Sequence, residues 1–541
     1  MTEPRSVARA AAGMGLATAV SRAFGFVRVL VIAAVLGTTY LGNTFQASNS
    51  FSNVLFELLA AGALSAVLVP TFVELIDRGE EREAERLAGN VLGRGLAWLG
   101  AITVFAVVAA PWIARFLASG ADNPGLRDAQ VELSTFLLRF FIPQVLLYAL
   151  GTVAIAALYA KRRFAVTAVA PIGLTVVLVS ALLVFRTLAG PGNVSLDLSF
   201  SEKLTLALGG TLGVAAFVGV PAVALRLTGF RLRPRFDRGD AAIRRVLRLS
   251  GWAVFQHSMI GVLLVTAVVT GNRVEGGVIA YQVAWVFFLA PYAVLAQPIH
   301  TTVLPELSIQ AGRDDWAAFA GSLRWALDSM AVLVIPVSVA MISLAQPGMR
   351  VVAFGEATRG GVALLAAGIA SLALGLFVYG AFLLLARAYY ALGDSRTPAM
   401  VALASALAGA ATMAIAGRAV HGSAVVAAIG IGHSVAYGLG AAMLAIGLSR
   451  RTGHAIVPTA LPRALAVAAP IGLAAWWVDR ALDPRGRAAS LAMVAVAGIV
   501  GGLLYLVGTR GFGGVAALGR GAFARVGSGG PEEADAAAEE A

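Results

Sequence analysis

LLRFFIPQVLLYALGTVAIAALYAKRRFAVTAVAP, Leu137 to Pro171, decides the fold. Apart from Arg139, nothing from Leu137 to Ala160 is charged; three cations then fall together at Lys161, Arg162 and Arg163, and the apolar run resumes at once. A helix needs about 20 mostly apolar residues to cross a bilayer. The stretch therefore reads as the end of one membrane span, a tight basic turn and the start of the next.

The same alternation fills the chain. Of its 541 residues, 59% are hydrophobic and only 13% are charged, against roughly 45–50% and 25% in soluble proteins. That excludes a soluble enzyme, a disordered tail protein and a fibrous repeat. The expected fold class is an all-α polytopic membrane protein. Apolar windows predict fourteen spans, at 11 to 37, 44 to 76, 88 to 118, 131 to 160, 164 to 188, 203 to 228, 247 to 271, 277 to 308, 320 to 347, 360 to 391, 398 to 417, 422 to 448, 461 to 480 and 488 to 510. Arg5 and Arg9 ahead of an apolar run resemble a signal peptide, but no small-residue cleavage site follows, so the first span is read as retained.

Loop charge sets the expected orientation. The second-to-third connection holds Arg78, Arg82 and Arg86 with five acids; the fourth-to-fifth holds Lys161, Arg162 and Arg163. The sixth-to-seventh is the most basic, with seven arginines from Arg231 to Arg248, and the twelfth-to-thirteenth has Arg450 and Arg451. Basic loops stay in the cytoplasm. Even-numbered connections and both termini are thus expected inside, in a multi-pass plasma (inner) membrane protein. Arg480, Arg485 and Arg487, in the last odd connection, go against the rule. The net charge of +12 is explained by these loops, and no nucleic-acid partner is expected. Zero cysteines exclude disulfides, thiolate metal sites and cysteine nucleophiles.

An internal repeat organises the spans. LVPTFVEL (Leu68 to Leu75) closes the second span and VLPELS (Val303 to Ser308) the eighth, with Pro70 and Pro305 offset by 235. Tyr159 in LYAKRRFAV and Tyr390 in YYALGDSRTP are offset by 231. Two matches at nearly one offset predict two pseudo-symmetric six-helix lobes, 1–228 and 229–450, with a substrate site between them. Two further helices (451–512) and a disordered cytoplasmic tail (513–541) complete the expected organisation.

Arg22 and Arg28, in SRAFGFVR (Ser21 to Arg28), lie inside the first span. A guanidinium at bilayer depth costs roughly 2.5–3.5 kcal/mol on insertion scales, so such a residue normally faces a cavity or a partner. Six positions advance about 600° on a helix, and a bend at Gly25 would be needed to bring the two together. Arg grips phosphate oxygens through paired hydrogen bonds; the functional reading is an anion site, the bland one a structural pair or snorkelling. Glu57 is a mid-span carboxylate, either a coupling group or the partner of these arginines. Asn43, Gln46, Asn49, Ser50, Ser52 and Asn53 make the second span polar, which suits either a wet cavity or helix-to-helix glue. His257 and Gln256 fall in the seventh span. Arg324 and Asp328 are expected as an intrahelical pair. Pro143, Pro171, Pro291, Pro305 and Pro336 are expected to bend helices. No phosphate-binding loop, HExxH or EF-hand is present, so transport energy would come from gradients.

With these residues in hand the sequence resembles the MurJ/MviN lipid II flippase family, in the MATE-like exporter group, and most of all its actinobacterial branch. The pieces that carry the resemblance are SRAFGFVR, GALSAVLVPTFVE (Gly62 to Glu74), Leu137 to Pro171, PYAVLAQPIHTTVLPELS (Pro291 to Ser308) and ARAYYALGDSRTP (Ala386 to Pro398), in family order over roughly residues 10 to 450. The resemblance implies fourteen helices, two lobes around a central cavity, and movement of an undecaprenyl-pyrophosphate-linked precursor to the outer leaflet by alternating access. It implies substrate binding by Arg22 and Arg28 and a lipid-tail groove formed by the last two helices; Asn43, Asn53 and Glu57 join them as candidate substrate-binding residues on their own polarity within the second span. The chain departs from the family at Asn43 and Phe56, where an aspartate and an arginine are common, and at Tyr281 to Leu289, which lacks the usual arginine.

The expected partners are the lipid-linked precursor, membrane lipids and cell-wall synthesis proteins, with the chain acting as a monomer. No cofactor is expected; coupling to a monovalent cation or to the membrane potential stays open. A MATE-like small-molecule antiporter, another lipid-linked oligosaccharide flippase and a non-transporting scaffold are the alternatives.

Overall fold

The computed structural model describes residues 4–56, 62–190, 192, 194–236, 255, 261–484 and 486–510, with backbone alone at 4–17, 53, 55, 56, 62–67 and 510. Its helices are α1 (Pro4–Leu36), α2 (Tyr40–Phe56), α3 (Gly62–Asp77), α4 (Glu81–Val108), α5 (Ala110–Leu117), α6 (Pro124–Phe141), α7 (Gln144–Ala160), α8 (Phe164–Ala189), α9 (Phe200–Leu227), α10 (Gly261–Gly271), α11 (Gly277–Pro291), α12 (Gln297–Gly312), α13 (Trp316–Ser343), α14 (Ala345–Val352), α15 (Gly361–Ala373), α16 (Leu376–Ala391), α17 (Arg396–Ala419), α18 (Ser423–Thr452), α19 (Ala460–Leu482) and α20 (Arg487–Arg510). No strand occurs among the described residues. A bilayer offers no water to a backbone N–H or C=O, so a spanning segment must satisfy them internally, as a helix does.

Among the described residues, eleven helical segments are long and apolar enough to cross a membrane, twelve when α15 and α16, bent by 44° at a short break, count as one. The other two expected spans, 44 to 76 and 247 to 271, run partly through residues outside the described set, as do Gln256, His257 and 511–541. Pro143 separates α6 from α7, and Pro291 ends α11. Pro171, Pro305 and Pro336 instead lie within unbroken helices.

The repeat is visible in the caps. The chain leaves α7 through Arg163 N–H to Leu158 O (2.9 Å) with Arg162 at φ 56°, and leaves α16 through Asp394 N–H to Tyr389 O (3.0 Å) with Gly393 at φ 71°. This is the same left-handed helix exit, 231 residues apart. Helices α1, α7, α8 and α9 pack together before residue 229; α15, α16 and α17 pack around α18 after it. Helices α19 and α20 pack on α13 and α14. The described part of the most basic connection lies extended along α4, with Arg235 N–H bonded to Gly89 O (2.8 Å) and Arg231 N–H to the Glu85 carboxylate (2.6 Å).

A side chain at a left-handed position is strained by about 1 kcal/mol relative to glycine. Arg162→Gly is therefore expected to raise the melting temperature of the purified protein, and Gly393→Ala to lower it. Shifts of the opposite sign would show that the two exits are not equivalent.

Candidate functional site

Helix α1 carries the two intramembrane arginines and runs unbroken through Gly25. No break separates the two arginines, which have different neighbours. Arg28, partly buried, lies within electrostatic reach of Tyr148 on α7, in the first lobe. Arg22, exposed, lies within electrostatic reach of Tyr292, in the second. A Cβ placed on Gly25 between them would meet nothing within 4 Å, so α1 borders open space there.

The facing wall is built around a turn of π-helix, Tyr292–Ala296, between α11 and α12. Pro291 and Pro298 bracket it, and neither has an N–H to give the helical ladder. Such bulges recur at functional sites. Here the turn aims the Tyr292 hydroxyl at His300 Nδ1 (3.4 Å), while His300 Nε2 meets Met330 Sδ (3.3 Å). Arg387 of α16 lies within electrostatic reach of both Tyr292 and His300. Arg387 is thus a third intramembrane cation, sharing Tyr292 with Arg22 as an electrostatic neighbour. It stands inside the quoted ARAYY stretch but was not singled out; an arginine in an otherwise uncharged span was the available signal. Among the described residues, no ion pair takes up Arg22, Arg28 or Arg387. Glu57, the expected partner, lies outside the described residues.

Asn43 is placed elsewhere. Its amide nitrogen donates to Val274 O (2.9 Å) and Asn272 Oδ1 (3.3 Å), and its oxygen accepts from Val278 N–H (2.9 Å). Asn272 also exchanges hydrogen bonds with Gln130, both 3.0 Å. Nearby, Arg186 of α8 reaches the buried carboxylate of Glu356 (2.9 Å), which Arg359 also holds (2.7 Å). The polar bonds that join α2, α6 and α8 to the α10–α11 connection and to Glu356 all sit at this end, the end of the odd-numbered connections. The seam is closed there. The polar start of the second span acts as glue: Ser52 donates to Phe141 O (2.7 Å) and Gln46 to Ser50 (3.1 Å). The Asn53 side chain lies outside what is described.

A second feature opens on the lipid side. Helices α13, α14, α19 and α20 enclose an apolar groove of about 690 Å³, walled by Leu333, Pro336, Ile471, Leu491 and Tyr505 and reaching Phe287 of α11. The Phe287 ring meets Phe26 of α1 edge-on at 4.3 Å. One ring contact therefore separates the groove from the arginine-bearing stretch of α1. Asp328 does not form the expected pair with Arg324; it accepts from the Thr459 hydroxyl and Ala460 N–H, both 2.8 Å, at the start of α19. The arginines that break the loop-charge rule are also accounted for in part. Arg487 donates to Ala353 O (2.6 Å), and Arg480 lies over the Trp476 ring at 4.7 Å.

Membrane-length helices throughout, three intramembrane guanidiniums with no ion pair among the described residues and a polar seam at one end define a polytopic membrane protein built as a transporter. The sequence profile of one family, described as lipid II flippase MurJ, matches residues 32–497. The chain belongs to that family. A relative from Rhizobium tropici, described as a probable lipid II flippase MurJ, is 28% identical over 393 residues, covering 71% of each chain. One from Burkholderia cenocepacia, described as lipid II flippase MurJ, is 24% identical, covering 71% of this chain and 73% of its own. A solved lipid II flippase MurJ, in an inward closed conformation, superposes with a TM-score of 0.71 at 19% identity, over 92% of this chain and 98% of that one. An inward-facing multidrug transporter of the MATE family gives 0.63 at 13% identity, over 80% and 94%. At such identities the structural likeness speaks for the fold.

Leaving a buried partner unsatisfied costs about 1–3 kcal/mol, enough to shift a two-state balance by roughly 5- to 150-fold. Asn43→Ala combined with Glu356→Gln is expected to open the seam. Labelling of a single cysteine at Ala34, buried beside Gly355, by an impermeant maleimide from that side should rise at least several-fold. Unchanged labelling would mean that these bonds do not hold the lobes together.

Proposed function

We propose that this chain moves a lipid-linked peptidoglycan precursor from the inner to the outer leaflet of the plasma membrane by alternating access, its basic loops and both termini facing the cytoplasm. The observation that carries the reading is the set of three guanidiniums, Arg22, Arg28 and Arg387, at bilayer depth and without an acidic partner among the described residues. A diphosphate is the anion that suits them: each guanidinium can donate two parallel hydrogen bonds to phosphoryl oxygens. Arg22 and Arg28 face different lobes, so a headgroup bound to both bridges them. The groove of α13, α14, α19 and α20 supplies an apolar berth for the polyprenyl tail, beside the headgroup site.

The division into a first lobe at 1–228, a second at 229–450 and a tail-binding pair at 451–512 follows from this reading. With the seam closed on the outer side, the headgroup enters from the cytoplasm. Outward movement of its negative charge runs down an inside-negative potential, which contributes about 2.3 kcal/mol per charge per 100 mV; we take that potential as the driving force, with no cofactor. A drug or cation antiporter of the same fold would want a net acidic cavity, and the cations here disfavour it.

The test is complementation of a flippase-depleted strain, scoring precursor exposed at the outer leaflet against protein abundance. A hydrogen bond to a charged group contributes about 1.5–3 kcal/mol. Arg28→Ala is therefore expected to cut exposure at least tenfold at normal abundance, and Arg387→Ala to cut it measurably. Arg28→Lys should recover only part, since lysine cannot form the paired bond. Normal exposure in the Arg22→Ala/Arg28→Ala protein would remove the proposed role.

A further inference from the structure

Among the described residues the α19–α20 hairpin packs chiefly on the second lobe: its close neighbours are α13 and α14. Polar anchors fix it at both ends. At the basic end the first helical N–H of α19, Ala460, would be an orphan donor. The Asp328 carboxylate of α13 takes both that N–H and the Thr459 hydroxyl, each at 2.8 Å. The carboxylate also faces the positive end of the α19 dipole. At the opposite end Arg350 of α14 donates to Pro484 O (3.0 Å) and Asp483 (3.3 Å), and Arg487 returns a bond to Ala353 O (2.6 Å). Between the two, Tyr505 donates to Val332 O (3.0 Å) on α13.

We propose that this clamp keeps α19–α20 seated on α13 through the whole transport cycle, so that the groove travels with the second lobe, and that Asp328 is the positioning residue at its basic end. Resting on the tail-binding reading of the groove, the proposal means that the lipid's apolar chain stays against one wall while the lobes rock around its headgroup. Breaking the clamp to let the hairpin slide would strand the Ala460 N–H and the Asp328 carboxylate together near the membrane face, an arrangement that costs more than keeping them paired.

The test uses the absence of cysteine from the native sequence. In Asp328→Cys/Thr459→Cys the polar clamp is lost, and transport in proteoliposomes is expected to fall several-fold. Joining the two thiols with a short bifunctional reagent replaces the clamp covalently and should restore transport. A doubly substituted protein as active as the parent, or one whose residual transport is abolished by bridging, overturns the proposal. A lipid-free measurement keeps it separable from the substrate reading. Spin labels at Leu465 and Ile446, exposed on α19 and α18, should report one narrow distance that broadens with Asp328→Ala and stays narrow with Asp328→Asn, which keeps an acceptor. A distance that stays narrow in the alanine protein overturns the clamp; clamped labels in a parent that moves no lipid overturn only the substrate reading.

Discussion

Permanent positive charge held inside hydrocarbon is the constraint on which the rest of this structure turns. An arginine cannot escape the cost by losing its proton, as a buried lysine can, nor by gaining one, as a carboxylate does, so it must be given water, a counter-ion or a guest. Arg22, Arg28 and Arg387 have tyrosines and a histidine for electrostatic neighbours, and no ion pair takes them up among the described residues. Helix α1 passes Gly25 without a break, and the π-turn after Pro291 sets Tyr292 and His300 on the far wall.

The same low dielectric governs the polar residues of the seam. Asn43, Asn272 and Gln130 satisfy one another and nearby backbone groups at the closed seam, and Glu356 is held by two arginines from different parts of the chain. Such bonds are strong only while water is excluded, which suits a seam that closes and parts as a unit. The apolar groove lies on the opposite side of the Phe26–Phe287 contact. A cationic stretch and an apolar groove thus lie on two sides of a single ring pair, the arrangement the proposed amphiphilic substrate requires.

Much of this was legible in the sequence, because a bilayer leaves few choices. The KRR turn after Tyr159 and the GDSR turn after Tyr390 announced the repeat, and the structure shows the same left-handed exit at both. What the sequence could not supply was which polar groups meet across large separations. Asn43 read as a cavity residue because its partners lie more than 220 positions away. Asp328 read as the partner of Arg324 because i,i+4 spacing is visible and a cap on another helix is not. Arg387 was overlooked because its meaning comes from Tyr292 and His300, on a different span. Glu57 and His257 fall on residues outside those described.

The most direct measurement is a cryo-EM map of the full chain with a polyprenyl-diphosphate-linked disaccharide bound. A site built on unpaired guanidiniums predicts both phosphorus positions within about 4 Å of Arg22 or Arg28 side-chain nitrogens, the distance of an ion pair. Arg387 should lie on the sugar-facing side and the tail should fill the groove. A map in which Glu57 occupies those guanidiniums, with the diphosphate elsewhere, would contradict it.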